Sequence, residues 1–128
     1  MMDWKQLFTV IRTLFEFIRY DLITSTAGFP RIHRQLMRQR VAVRAVQARE
    51  ALICEAVSLA ACFYYNPVPC LQRSVVATRL LRKSGISARL VIGYRPAPFF
   101  SHAWVEVDGR VVNDSPAYKE RLQVLTTV

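Results

Sequence analysis

The chain has 128 residues, one domain's worth, and a domain of that size buries roughly two-thirds of its unfolded surface without disulfides or metals to hold it together. A hydrophobic fraction of 52%, only four glycines and no serine-rich or glutamine-rich stretch exclude a disordered or low-complexity chain. Eighteen basic residues against nine acidic ones give a formal net charge of +9, a surface that favours acidic partners.

Along the chain, Leu7, Val10, Ile11, Leu14 and Ile18 recur at helical spacing and predict a first amphipathic helix over residues 4–20, with that stripe as its apolar side. Lys5, Arg12 and Glu16 interrupt this stretch and Arg19 follows it, so it falls short of the roughly 20 apolar residues of a membrane span or the core of a signal peptide. Gly28 and Pro30 punctuate the next segment. A short helix is expected over 31–39 and a long one over 41–64, presenting Ala45, Leu52, Ala56, Leu59 and Phe63, until Asn66-Pro67-Val68-Pro69 stops it. Pro69 before and Gly85 after bracket a further helix over 70–83, with Leu71, Val75, Leu80 and Leu81 near period 3.6.

From there the period changes to two. Residues 87–94 and 102–107 alternate, and Asp108-Gly109 is a hairpin signal before a strand over 110–114. The plan is α+β: a helical part over 1–66, then a small antiparallel sheet within 67–128, in a single domain without internal repeats.

Cys54, Cys62 and Cys70 are odd in number, with seven residues between neighbours, which fits neither a disulfide framework nor the paired spacing of structural zinc sites. Reduced thiols in a cytoplasmic protein are the simplest reading. No glycine-rich phosphate loop followed by Lys and Ser or Thr is present, so no nucleotide, metal or other cofactor is expected. Six arginines fall between Arg31 and Arg49 before any acid, which comes at Glu50. They are spaced along a helix without interleaved aromatics or a known binding motif, which favours a solvated helix face first, an acidic peptide or partner protein second, and nucleic acid last.

Cys70 follows a proline-marked turn and opens a helix, where unpaired N–H groups and the helix dipole favour an anionic sulfur and hence a nucleophile. Of the two histidines, His102 is the one on a strand, whereas His33 sits among arginines; Cys54 and Cys62 lie inside the long helix and read as packing residues. Asp114, taken alone, reads as well as a hairpin-end residue as it does as a functional carboxylate.

The set Cys70-Leu71-Gln72-Arg73-Ser74, Leu80 to Ile86, Leu90-Val91-Ile92-Gly93, Pro98-Phe99, His102-Ala103-Trp104-Val105-Glu106-Val107-Asp108-Gly109 and Asn113-Asp114, in that order, resembles the leader peptidase of lasso-peptide biosynthesis. The resemblance implies a transglutaminase-like, papain-like core with the nucleophile at a helix N-terminus, and a cysteine peptidase using Cys70, His102 and Asp114. Cys70 would attack the scissile carbonyl, His102 would move the proton and Asp114 would orient the imidazole. The Cys70 N–H would serve as oxyanion donor, with Asn66 or Tyr65 as candidates for a second, and Trp104 would shape the site or simply pack the core. It also implies partners: a precursor peptide, a leader-peptide-binding protein and an ATP-consuming lasso cyclase. A transglutaminase-like acyl transferase or amide hydrolase would use the same residues. A basic nucleic-acid or membrane-surface binding module would leave them unexplained.

The triad makes a demand on register. A two-residue loop at Asp108-Gly109 would pair Val107 with Arg110 and set His102 against Ser115, turning Asp114 to the other face of the sheet. The chemistry therefore predicts a three-residue loop, Val107-Asp108-Gly109, pairing Glu106 with Arg110 and His102 with Asp114, or a one-residue bulge elsewhere in the hairpin.

Overall fold

A computed structural model describes residues 3–41 and 49–128. Helix α1 (Trp4–Ala27) begins where Asp3 caps it, the carboxylate accepting the Gln6 N–H at 2.8 Å. It runs seven residues past the expected end at Tyr20. Thr24, Ser25 and Thr26 turn their hydroxyls back onto carbonyls of the preceding turn, a local pairing that accommodates weak helix formers. Gly28, at φ 75°, then ends the helix and leads into α2 (Phe29–Arg38), with Pro30 in its first turn. The apolar stripe is divided: Val10 is buried and Leu14 packs against the core, with Thr13, Glu16 and Phe17 also buried, while Leu7, Ile11 and Ile18 are exposed. Helix α3 (Arg49–Phe63) accounts for the second half of the expected long helix, and residues 42–48 of that expectation lie outside the described residues.

Helix α4 (Cys70–Lys83) has the expected bounds and is the axis of the core. Val75, Val76, Ala77, Thr78, Leu80 and Leu81 are all buried, because α1 and α3 close on one side of the helix and the sheet on the other. It ends in a paired cap in which Ile86 N–H bonds Leu81 C=O at 3.0 Å and Gly85 N–H bonds Arg82 C=O at 3.1 Å, with Gly85 at φ 88°. Arg82 is buried, and among the described residues it has no carboxylate partner. Its guanidinium instead donates to the carbonyls of Ala88 (2.9 Å), Leu36 (2.6 Å) and Val128 (2.9 Å), tying α2 and the first and last strands to α4.

Four antiparallel strands follow: β1 (Ala88–Pro96), β2 (Phe99–Val107), β3 (Arg110–Val111) and β4 (Gln123–Thr127), in spatial order β3-β2-β1-β4. A short α5 (Ala117–Arg121) and β4 come after the hairpin, and neither carries a strong pattern in the sequence. Alternation along β2 sends Ala103, Val105 and Val107 under α4. It leaves His102, Trp104 and Glu106 on the opposite face, where Trp104 packs with Val91, Leu122, Val111 and Tyr118.

Candidate active site

The hairpin closes with the two-residue loop. Val107 pairs with Arg110 and Glu106 with Val111, and Asp108 and Gly109 sit at φ 52° and 77°, as a type I′ turn requires. The expected three-residue loop is therefore absent, and by register alone Asp114 would face away from His102. The ladder, however, stops early. Val112 N–H still bonds Val105 C=O at 3.0 Å, but the return bond from Val105 N–H goes to the Asn113 side-chain Oδ1 at 2.8 Å. An amide side chain thus takes the acceptor position of the next main-chain carbonyl. The β2–β3 pairing carries no one-residue bulge either; instead the backbone bends at Asn113 and Asp114 after the ladder has ended, and Asp114 Oδ2 comes 2.6 Å from His102 Nε2. The other carboxylate oxygen accepts the Ser115 N–H at 2.7 Å, which fixes its orientation.

The imidazole is held on its faces as well. Tyr118 of α5 stacks on it with ring centroids 3.9 Å apart and planes 25° from parallel, and Phe100 and Trp104 lie at 6.2 and 6.5 Å. Trp104 is fully buried, its indole N–H donating to Glu106 at 2.8 Å, and its ring lies across Gly93: a Cβ there would stand 2.6 Å from the Trp104 ring. With Nε2 engaged by Asp114, Nδ1 is the ring nitrogen left for chemistry.

Cys70 is the first residue of α4, directly after Pro69. No side chain caps this helix, and its first main-chain bond runs from Arg73 N–H to Pro69 C=O, so among the described residues the N–H groups of Cys70, Leu71 and Gln72 have no partner. Cys70, Leu71 and Val75 pack with Ala103, while the later Ala77, Leu80 and Leu81 pack with Val105 and Val107, so α4 and β2 run in the same direction. Ser74 fixes their alignment. Its buried hydroxyl donates to Ala103 C=O at 3.2 Å and accepts from Asn113 Nδ2 at 3.1 Å, contacting the immediate neighbours of both His102 and Asp114. Cys70 lies one turn earlier, about 6 Å along the axis, and packs on the Ala103 side of the sheet, the face opposite the one that carries the imidazole. Among the described residues no hydrogen bond joins the thiol to the imidazole.

The first turn of α4 is anchored from behind. Buried Gln72 donates to Phe17 C=O at 3.2 Å and to Asp21 Oδ1 at 3.1 Å, and Asp21 also accepts the Tyr64 hydroxyl. Burial and the bond to Asp21 push the Tyr64 phenol above its ordinary ionisation range, which keeps it a donor. Tyr65 and Asn66, the expected second oxyanion donors, are exposed in the link before Cys70, and neither side chain makes a hydrogen bond among the described residues.

The other candidates fall outside this constellation. His33 is on α2 beside Phe29, with ring centroids 6.3 Å apart. Cys54 is half-buried, and burial together with the nearby Glu50 pushes its thiol up to about 11, so it stays protonated. Cys62, expected to be sheltered in the helix, is exposed. Cys54, Cys62, Ser58, Leu59, Val112 and Asn113 line an open cleft of about 480 Å³ beside the hairpin end. Ser74, Asn113, Gln72 and Tyr118 carry no motif of their own. Gln72, Ser74 and Asn113 nevertheless lie in the stretches that carry the family resemblance, without a role assigned to them there, whereas Tyr118 lies outside them.

Residues 17–127 match the sequence family described as the transglutaminase-like superfamily. A curated relative, the Microcin J25-processing protein McjB of Escherichia coli, is 46% identical over 59 residues, which are 46% of this chain and 28% of that protein. The match thus spans less than a third of the relative's length. No solved structure matches.

Proposed function

We propose that this chain, which belongs to the transglutaminase-like superfamily, is a cysteine peptidase that removes the leader from a lasso-peptide precursor through a thioester acyl-enzyme. The observation that carries the reading is the 2.6 Å contact between His102 Nε2 and Asp114 Oδ2, in a fold whose Cys70 stands at the uncapped start of α4. The name of the relative, which ties that protein to the processing of a peptide, supports the substrate class.

In this reading Cys70 Sγ, having given its proton to His102 Nδ1, attacks the carbonyl carbon that ends the leader. The imidazolium is held by Asp114, and the tetrahedral oxyanion lies against the free Cys70 N–H. Collapse breaks the C–N bond as His102 protonates the departing amine of the core peptide. Water, deprotonated by the same imidazole, then hydrolyses the thioester and releases the leader carboxylate. The ring and α4 lie on opposite faces of the sheet, so this reading requires His102 to reach Cys70 around the edge of β2.

The test is cleavage of a lasso precursor peptide followed by mass spectrometry, with a leader-binding partner present. Wild-type protein should release intact leader and core, and an acid-quenched sample should carry the leader mass on Cys70. Cys70→Ala and His102→Ala should abolish release while circular dichroism stays native; cleavage near wild type in Cys70→Ala removes this residue as nucleophile.

A further inference from the structure

The N-terminal helix turns an entire apolar seam to the outside. Trp4, Phe8, Ile11, Phe15, Ile18 and Leu22 succeed one another at alternating steps of four and three and are between 43% (Ile18) and 73% (Trp4) exposed. The eighteen steps from Trp4 to Leu22, at about 1.5 Å each, make a ridge about 27 Å long. This spacing repeats every 3.5 residues, the period of a seam that receives a second helix, with rings at one of the two core positions (Phe8, Phe15) and β-branched side chains at the other (Ile11, Ile18). No helix among the described residues is long and apolar enough to cross a membrane.

The flanks of the seam say what would cover it. On one side, at matching seven-residue intervals, stand Lys5, Arg12 and Arg19. Neither Lys5 nor Arg12 has a carboxylate within 4.0 Å among the described residues. Arg19 bonds Gln35 of α2 at 2.5 Å, which sets against this row a helix that carries the exposed Arg31, Arg34 and Arg38. The crowding is electrostatically felt: burial, then Arg79 and Arg31, lower the Arg19 guanidinium from its ordinary value. On the other flank Leu14 packs on the core and Asp21 is committed to Tyr64 and Gln72, while Leu7, also exposed, extends the apolar surface near the start of the helix.

We infer that α1 is the docking ridge for a partner protein that contributes an amphipathic helix with an acidic flank. A second copy fits poorly: antiparallel pairing would oppose the Lys5, Arg12 and Arg19 rows, and each chain carries a net charge of +9. A membrane-lying helix is flanked by charge on both sides of its apolar arc, whereas this seam is basic on one side alone. Because Leu22 adjoins Asp21, whose carboxylate anchors the first turn of α4, a helix seated on the ridge ends beside the residues that position Cys70. The inference does not depend on the chemistry assigned to Cys70.

The probe is a synthetic three-heptad helix with Leu and Ile at its seam and Glu at the flanking positions, compared with the same peptide carrying Lys for Glu, by fluorescence anisotropy on the full chain. The Glu peptide should bind at least about tenfold more tightly than the Lys peptide at low salt, and the preference should shrink as salt rises. Phe8→Glu with Phe15→Glu should lose about tenfold or more of that affinity. Lys5→Glu with Arg12→Glu keeps the seam and should invert the preference. All four positions are exposed, and each variant is checked by circular dichroism and by unchanged alkylation of Cys70. Equal affinity for the two peptides, or none for either, overturns the inference. So does partition onto phosphatidylserine vesicles without peptide binding, which assigns the ridge to a membrane, or a dimer that Phe15→Glu dissociates, which assigns it to a second copy.

Discussion

Ser74→Ala separates positioning from chemistry, because the Ser74 hydroxyl touches no reacting atom yet joins the helix of Cys70 to the neighbours of His102 and Asp114. Removing it leaves the Asn113 amide without its buried acceptor, a loss of about 1–3 kcal/mol where water cannot reach. Asn113 lines the open cleft beside the hairpin end, so water can replace the hydroxyl and the stability cost should lie near the lower figure, about 1 kcal/mol. The catalytic cost is set differently. Asn113 closes the strand by bonding Val105 N–H, and a shift of about 1 Å at the adjoining Asp114 is enough to lower turnover by about a hundredfold. Urea denaturation and single-turnover cleavage, run on the same preparation, should therefore show a small fall in midpoint with a fall of about ten- to a hundredfold in rate and little change in KM. Turnover within about twofold of wild type, together with the stability loss, would show that the alignment of α4 with β2 is dispensable and would break the link between Ser74 and the imidazole.

Gly93→Ala drives a methyl into the Trp104 ring and should cost about 1–3 kcal/mol while displacing the aromatic group beside His102; a thermal melt unchanged from wild type would contradict this packing. Burial alone would raise the Glu16 carboxyl, but Arg79 at 2.9 Å and Lys83 at 3.3 Å outweigh it and hold the group below its ordinary 4.5. The stability it confers is thus complete above pH 4.5 and fades as pH falls through the depressed value, so Glu16→Gln should flatten the acid limb of a stability-against-pH curve. Iodoacetamide at pH 8, with peptide mapping afterwards, should modify Cys70 and the exposed Cys62 and spare Cys54, whose thiol is held near 11; early labelling of Cys54 would show that α3 opens.

The helical elements and the two long strands were legible because local signals and tertiary environment agree there. Pro69 and Gly85 bracket α4, and the bracket holds because both termini are built from those residues' own backbone geometry. Alternation in β1 and β2 was legible because one face of each is packed on α4. The apolar stripe of α1 left open which of its residues meet the core. The helix has two apolar arcs, Val10 and Phe17 on one and Trp4, Phe8 and Phe15 on the other, and periodicity does not say which arc meets the core. Helix α5 and strand β4 were invisible because five residues are too few to show a period, and β4 is exposed at most of its positions.

The hairpin shows how a site and a local rule can both hold. Asp108-Gly109 takes the tight turn its residues prefer, and the resulting register points Asp114 the wrong way. The two are reconciled by Asn113, whose side-chain oxygen satisfies Val105 N–H in place of a main-chain carbonyl and lets the strand end early. An Asn can do this because its amide imitates a peptide group, with its NH₂ free to reach a second partner, here Ser74. The same economy ties the two halves of the chain together. Helix α4 carries Cys70 toward the sheet on one side and buries Val76, Ala77 and Leu80 in the cluster formed with α1 and α3 on the other, while Asp21 of α1 holds its first turn through Gln72. The helical half is therefore part of the structure that places Cys70, and residues 67–128 would present α4 with one face unburied if they stood without it.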